Sequence, residues 1–314
     1  MPDISVVVPS HDRPIRLRWL LNALAEQTLP RERFEVIVAH DSGEATRELL
    51  RTHELHPREI ALAPCGAAPK RNAGWHAAQA PLVVFTDDDC RPPAEWLERA
   101  LAAAQRHPKA IVQGTTMPDP DEVALEAAAP HTHTQRIVPP HHAAQTCNIV
   151  YPREVLERLD GFVEGLDSGD DTDLAARARR DGVPYVGARE VLTWHAVEPT
   201  TLWRTLKGLR RWQDVPAAVK RSPELREHMP MWLFWKRTHV WLGPAAAGLA
   251  LARKRPAAAA LAIPWLIHTL PQQYGTGPRG RVRAISELPA RAAIDATELA
   301  ALAKGSLKHR TLLL

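Results

Sequence analysis

Cysteine is scarce in this chain. Cys65, Cys90 and Cys147 are the only three among 314 residues, an odd number with no CxxC spacing. That argues against a disulfide framework and a structural zinc site, and for a reducing compartment. Long apolar runs are missing too. The two late candidates, VWLGPAAAGLALA (240–252) and PAAAALAIPWLI (256–267), are interrupted by Arg253, Lys254 and Arg255. Each falls short of the roughly 20 apolar residues that a membrane-spanning helix needs. The opening MPDISVVVPSHDRP has no basic region, apolar stretch or small-residue cleavage site and begins directly on a strand, so no secretory signal is expected. Internal repeats are absent, and low complexity is confined to Ala-rich patches near 245–262. Together these absences suggest a cytosolic protein, or one facing the cytosol.

What is present is ordinary in amount and unusual in placement. The 45% apolar and 24% charged fractions fit a soluble globular protein. The net charge of +4 hides a division: residues 1–198 hold 21 Lys+Arg against 30 Asp+Glu, a net of −9, while residues 199–314 hold 19 against 6, a net of +13. Six of the ten tryptophans also lie after residue 199. An acidic body followed by a basic, Trp-rich region implies one large domain over 1–200 and a helical extension over 201–314.

Along the body, strands alternate with helices. DISVVVPSHDRP reads as a strand and loop, and IRLRWLLNALAEQTL as a helix that Pro30 stops. FEVIVAHDSG, EIALAP and PLVVFTDDDC read as strands; ATRELLRTHEL, KRNAGWHAAQA and AEWLERALAAAQRH read as helices. This alternation predicts an α/β fold with a largely parallel sheet, whose ligands bind beyond the carboxyl ends of the strands. PSHD, HDSG and DDD all fall there. Further on, APHTHTQRIVPPHHAAQ has no helical or strand period and reads as a loop, holding His131, His133, His141 and His142. TCNIVYPREVLERLDGF restores a strand and a helix capped by Gly161.

Asp87, Asp88 and Asp89 repel one another and need an explanation. In an extended segment, Asp87 and Asp89 share one face and Asp88 takes the other. Two convergent carboxylates suit Mg²⁺ or Mn²⁺, which take one or two protein carboxylates and complete their shell with water and substrate phosphates. Taken alone, DDD is equally a solvated strand end that caps the next helix. A second acidic group, Asp170, Asp171 and Asp173, begins another helix, where the helix dipole alone would favour it. His195 ends a later strand, in TWHAV.

The motifs VVVPSHDRP, HDSG, PKRNAG, VVFTDDDCRPPAEWL, NIVYPREVLERLDGFVE, GDDTDL and His195, in this order over about residues 3–200, resemble the family 2 glycosyltransferases. The resemblance implies a GT-A fold, with nucleotide-sugar binding in about 1–115 and the acceptor and base part in about 116–200. It places Pro9, Ser10, His11, Asp12 and Asp41 around the base and ribose of the donor. Lys70, Arg71 and Asn72 go to the diphosphate, and Asp87 and Asp88 to the donor. Asp87, Asp89 and His195 would hold a divalent cation, Mn²⁺ or Mg²⁺. In GDDTDL, Asp171 aligns with the catalytic base, and Asp170 stands where the family usually has Glu, one methylene shorter. The implied reaction is a single, inverting displacement on a nucleotide sugar, UDP-sugars first, by a hydroxyl of a glycan or lipid-linked acceptor.

The processive synthases of the superfamily carry QxxRW after the base. Here GLRRW (208–212) has Gly208 in place of Gln, which argues against processivity. With Trp235, Trp241 and Trp265 beside many cations, the two short apolar runs suggest a helical hairpin dipping into an anionic membrane surface at the inner face of the plasma membrane. Packing on the catalytic domain, or on a second copy in a homo-oligomer, is the other use for them. The basic region shows no nucleic-acid-binding motif. A sugar nucleotidylyltransferase would be expected to carry a Gly-rich basic loop after the first strand, which PSHDRP is not. A non-catalytic nucleotide-sugar or glycan-binding module would be expected to lack Asp171.

Overall fold

The computed structural model describes residues 1–129, 131–166, 168–270 and 277–314. In chain order it begins β1 (Ile4–Ser10), α1 (Pro14–Ala25), β2 (Phe34–His40), α2 (Glu44–Thr52), β3 (Arg58–Ala61), α3 (Ala67–Ala77), β4 (Leu82–Thr86), β5 (Cys90–Arg91) and α4 (Trp96–Arg106). It continues with β6 (Ile111–Pro118), α5 (Val123–Ala128), β7 (His131–His133), β8 (Asn148–Pro152), α6 (Arg153–Leu159), α7 (Asp170–Arg180), β9 (Tyr185–His195) and β10 (Glu198–Thr200). Helices α8 (Leu202–Gly208), α9 (Val215–Arg221), α10 (Arg237–Ala252), α11 (Ile263–Thr269), α12 (Pro278–Ser286) and α13 (Leu288–His309) follow. The chain divides into two compact units, Met1–Glu122 with Thr134–Val197, and Val123–His133 with Glu198–Leu314.

In the first unit, β-branched residues make β1, and its alternation feeds two cores. Ile4, Val6 and Val8 face a cluster with Leu17, Leu20, Leu21 and Leu24 of α1, whereas Val7 faces one with Trp75, Phe85, Tyr151 and Phe162. Helices thus cover both sides of the sheet. Each of the four buried α1 leucines contributes about 1.5–3 kcal/mol of burial. Pro14 enters α1 in its first turn, where its missing N–H has no partner to lose. The helix ends at Ala25, before Pro30. Gln27 Nε2 donates to the carbonyls of Ala23 (2.9 Å) and Pro93 (2.8 Å), and Thr28 N to that of Ala94 (2.9 Å), so tertiary bonds turn the chain first.

The sheet order is β3-β2-β1-β4-β8-β6-β9-β5. β1–β2, β1–β4, β2–β3 and β6–β9 are parallel; β4–β8, β6–β8 and β5–β9 are antiparallel. The sheet is mostly parallel as expected, with β8 running against both its neighbours. The carboxyl ends of β2, β1 and β4 lie side by side, and the loops leaving them carry HDSG, PSHD and DDD.

The second unit is helical, with a two-stranded sheet in which β7 pairs antiparallel to β10. This corrects the loop reading of His131–His133: a three-residue strand has no period to detect and exists through its partner. Inside this unit, Ala245, Ala262 and Trp265 pack together with Leu242, Leu266, Leu288 and Ala292. One face of the α10–α11 hairpin therefore rests on α13. Trp265 is buried and donates from Nε1 to Asp295 Oδ2 at 2.9 Å, which removes it from any membrane-facing role. Among the described residues no helix is long and apolar enough to cross a membrane.

Candidate active site

The loops after β1 and β2 are tied together by side chains. Asp12 takes a left-handed backbone (φ 48°). Its N–H donates to Ser42 Oγ (2.8 Å), and its Oδ1 accepts from the Gly43 N–H (3.2 Å). Asp41 is the hub: Oδ1 contacts Lys70 Nζ (2.6 Å) and His11 Nδ1 (2.8 Å), and Oδ2 accepts from the Cys65 N–H (3.0 Å). Burial alone would raise its pKa, but these partners outweigh it and hold the carboxyl far below the ordinary range. Pro9 lies buried in β1, opposite Ala39 of β2.

The three aspartates do not continue the strand. β4 ends at Thr86, and the Cys90 N–H donates to the Asp87 carbonyl (3.1 Å), closing a turn over 87–90. The expectation of an extended segment is corrected here, because a tight turn replaces simple alternation. Asp88 is buried and accepts from Ser10 Oγ (2.8 Å) and the His11 N–H (3.3 Å). Desolvation first, then the neighbouring Asp89, push its carboxyl up to about 7, against Arg13 and Ser10. Arg13 Nη1 donates to Asp89 Oδ2 (2.6 Å). Arg71, itself buried, donates from Nη2 to Asp87 Oδ1 (3.2 Å) and from Nη1 to Asp170 Oδ2 (2.9 Å).

Asp87, Asp89 and His195 offer ligand atoms that all lie within 4.8 Å of one another. Asp89 Oδ1 is buried and accepts no hydrogen bond. His195 Nδ1 lies 2.9 Å from the Ala196 carbonyl, which can only accept, so Nδ1–H donates there and Nε2 is the ring nitrogen directed at the acidic turn. That nitrogen lies 3.4 Å from Asp89 Oδ1. An imidazole nitrogen and two carboxylates gathered this closely fit a hard or borderline divalent cation such as Mn²⁺ or Mg²⁺.

The start of α7 sorts its carboxylates. Asp173 is fully buried and pairs with Arg177 Nε (2.7 Å) inside the helix, a structural use. Asp170 takes Arg71. Asp171, half-buried, accepts from its neighbour's N–H, Thr172 (2.7 Å). Desolvation and then Asp170 raise its pKa, against Arg71 and that N–H. Asn72 lies elsewhere: its Nδ2 donates to the Phe162 carbonyl (2.8 Å) and Glu164 (3.1 Å), and its Oδ1 accepts from the Phe162 N–H (2.9 Å) and Trp75 Nε1 (3.0 Å). It fixes the turn after α6, where Asp160 and Gly161 both adopt left-handed φ, so the cap involves two residues and not Gly161 alone. Sequence reading passed over Arg13 and Ser42. Arg13 follows Asp12 directly within PSHDRP, and its place in that strand-end loop was the available signal. None of the four loop histidines joins a metal-compatible cluster among the described residues; the second such cluster is His239, Asp295 and Glu298.

Known proteins share the fold that carries these residues. TarS 1–349 of Staphylococcus aureus, solved with UDP-GlcNAc, shares the fold over 99% of this chain and 93% of its own, at 16% identity and a TM-score of 0.55. The mannosyltransferase PcManGT of Pyrobaculum calidifontis, solved with GDP-Man and Mn²⁺, does so over 98% and 87%, at 21% identity and a TM-score of 0.56. The fold is thus of the GT-A type. The family model described as Glycosyl transferase family 2 matches residues 5–159, and the chain belongs to that family of glycosyltransferases. Glycosyltransferase AglE of Haloferax volcanii is 26% identical over 209 residues, 63% of this chain and 68% of the relative. Validoxylamine A glucosyltransferase of Streptomyces hygroscopicus subsp. jinggangensis is 28% identical over 278 residues, 76% of this chain and 64% of the relative, so the chain spans less than two thirds of that protein.

Proposed function

We propose that the protein transfers a sugar from a nucleoside diphosphate sugar, UDP-sugars first, to a hydroxyl of a glycan or lipid-linked acceptor, with inversion at the anomeric carbon. Arg71 carries the proposal. One guanidinium holds both Asp87 and Asp170, so the acidic turn after β4 and the start of α7 belong to a single site. The nucleotide sugars in the TarS and PcManGT complexes support the donor class.

In this reading Pro9, Ser10, His11, Asp12 and Asp41 surround the base and ribose. Lys70 and Arg71 meet the diphosphate, and Asn72 positions them through the turn it fixes. Asp88 braces Ser10 at the donor's edge. Asp87, Asp89 and His195 hold Mn²⁺ or Mg²⁺, which when bound supplies a Lewis acid for the charge on the departing diphosphate. Asp171 accepts the acceptor's hydroxyl proton. The new bond joins that oxygen to the anomeric carbon on the face opposite the breaking bond, whose electrons leave with the diphosphate. General-base help of this kind contributes about 10²–10⁴-fold, and a raised pKa brings the base nearer the working pH. Asp170 orients Arg71 beside it.

The test is calorimetric titration of UDP, GDP, dTDP and CDP with and without Mn²⁺, on wild type and Asp89→Ala. Metal-dependent binding of one diphosphate that Asp89→Ala abolishes is the expected outcome. Binding of none by folded protein refutes the donor class.

We further propose that the region 201–314 meets an anionic membrane, keeping a cytoplasmic protein peripheral to it. Leu249, Leu251, Ile263 and Ile267 are exposed on the α10–α11 hairpin, around Arg253, Lys254 and Arg255. Exposed apolar side chains among cations suit an anionic interface. Co-sedimentation with phosphatidylglycerol vesicles that high salt reverses is expected; equal binding to neutral vesicles contradicts it.

A further inference from the structure

The first unit holds a cavity of about 620 Å³ that none of the proposed donor, metal or base residues line. Strand register explains the separation. Cys90 pairs with His195 and Arg91 with Trp194. Successive strand side chains point to opposite faces, so His195 faces the acidic turn while Arg91 and Trp194 face the cavity. The opposite wall is α1 and its end, which present Trp19, Asn22 and Glu26 at helical spacing.

The walls are held in place. Arg16 stacks over the Trp19 ring (4.9 Å) and bonds Glu122 (2.6 Å). Arg91 forks onto Asp119 (2.7 and 2.6 Å) and reaches Asp121 (2.6 Å). Gln27 ties the end of α1 to the Pro93 carbonyl (2.8 Å). Charge then selects the ligand. Both arginines are already neutralised by carboxylates, so no cation is left to take a phosphate, and Glu26 would repel an anion. Glu26 has no arginine partner among the described residues, and Asp119 and Asp121 share Arg91, so the lining carboxylates exceed the two arginines by two charges, too few to select a polycation. Asn22, whose Oδ1 contacts His53 Nε2 (3.0 Å), keeps its amide N–H groups as donors. What remains is two indoles, a carboxylate and an amide around a volume typical of small-molecule sites. Trp19 is 43% exposed on a rigid helix, an apolar plate open to solvent.

We propose that this cavity is a non-catalytic binding site for a neutral oligosaccharide, with sugar rings stacked on Trp19 and Trp194 and hydroxyls bonded to Glu26 and Asn22. The site needs no donor and stands apart from the transferase reading.

The test is a printed glycan array probed with the tagged full-length protein. Calorimetry of the strongest neutral oligosaccharide follows, on wild type, Trp19→Ala, Trp194→Ala, Glu26→Gln and Asp89→Ala. Binding is expected to persist with UDP and Mn²⁺ present and in Asp89→Ala, and to weaken about tenfold or more in Trp19→Ala. Trp19 is a surface residue, and circular dichroism checks that each variant stays folded. A blank array overturns the proposal. So does glycan binding that UDP or Asp89→Ala removes, which assigns the glycan to the candidate active site and leaves the transferase reading standing. Binding untouched by either Trp substitution, or preference for a basic peptide over every glycan, overturns it as well.

Discussion

Arg71 Nη1 donates to Asp170 Oδ2 at 2.9 Å, joining residues 99 apart in the chain inside a buried pocket. The same guanidinium reaches Asp87, and its plane lies 5.7 Å over the Phe162 ring. Arg71→Met leaves Asp87, Asp170 and Asp171 without their counter-charge. A loss of about 3–5 kcal/mol in urea unfolding at pH 7 is expected. The loss should shrink as pH falls, because protons then neutralise the abandoned carboxylates. Arg71→Lys keeps the charge but not the fork, and should recover only part of the stability.

Asp171 gives a second prediction. Its pKa is raised, and the proposed base must be unprotonated, so kcat/KM should rise with pH through a limb lying well above the ordinary carboxylate range. Asp171→Asn should lower turnover by about 10²–10⁴-fold and abolish that limb while nucleotide binding persists. A limb unchanged in Asp171→Asn assigns the titration to another group.

Cation binding should appear as stability. The proposed Mn²⁺ site is assembled from Asp87, Asp89 and His195 only in the folded chain, so Tm should climb with the ion's concentration. Asp89→Ala should flatten that climb, and His195→Ala should reduce it. An undiminished climb in both variants places the ion elsewhere.

Gly161 has φ +57°, and a Cβ built there would stand 2.5 Å from Trp75 Nε1 and 2.6 Å from Asn72 Oδ1. Gly161→Ala therefore combines a disfavoured backbone with a clash against the network that positions Asn72. A loss of about 2 kcal/mol or more in chemical unfolding is expected.

In the second unit, buried Glu298 accepts from Lys236 Nζ (2.7 and 2.8 Å) and contacts His239 Nε2 (2.9 Å). Desolvation raises its pKa, but His239 and Lys236 outweigh that and lower it below its ordinary 4.5. A depressed folded pKa contributes stability that is present above the unfolded value and lost as pH falls through the folded one. Glu298→Gln should thus destabilise above about pH 5 by roughly 1–3 kcal/mol, with the gap closing in acid. Equal losses at pH 7 and pH 3 contradict this.

How legible all this was depended on the range of the signal. The α1 leucines, the β-branched β1 and the acids opening α7 are local patterns, and each element formed where its pattern lay. β7 was missed because three residues carry no period and its partner, Glu198–Thr200, lies far along the chain. Trp265 was misjudged because its indole N–H found a buried carboxylate, Asp295, that no local rule pairs with it.

The sequence by itself determined the order of strands and helices, the loops at the strand ends and the identity of the acids, because backbone propensity and hydrophobic period act over a few residues. Only the tertiary structure decided which acids meet. Asp170 went to Arg71, and Asp89 came to face His195 from 106 positions away in the chain. Those pairings are electrostatic and fall off steeply with distance, so they exist only after the sheet has brought its strand ends together.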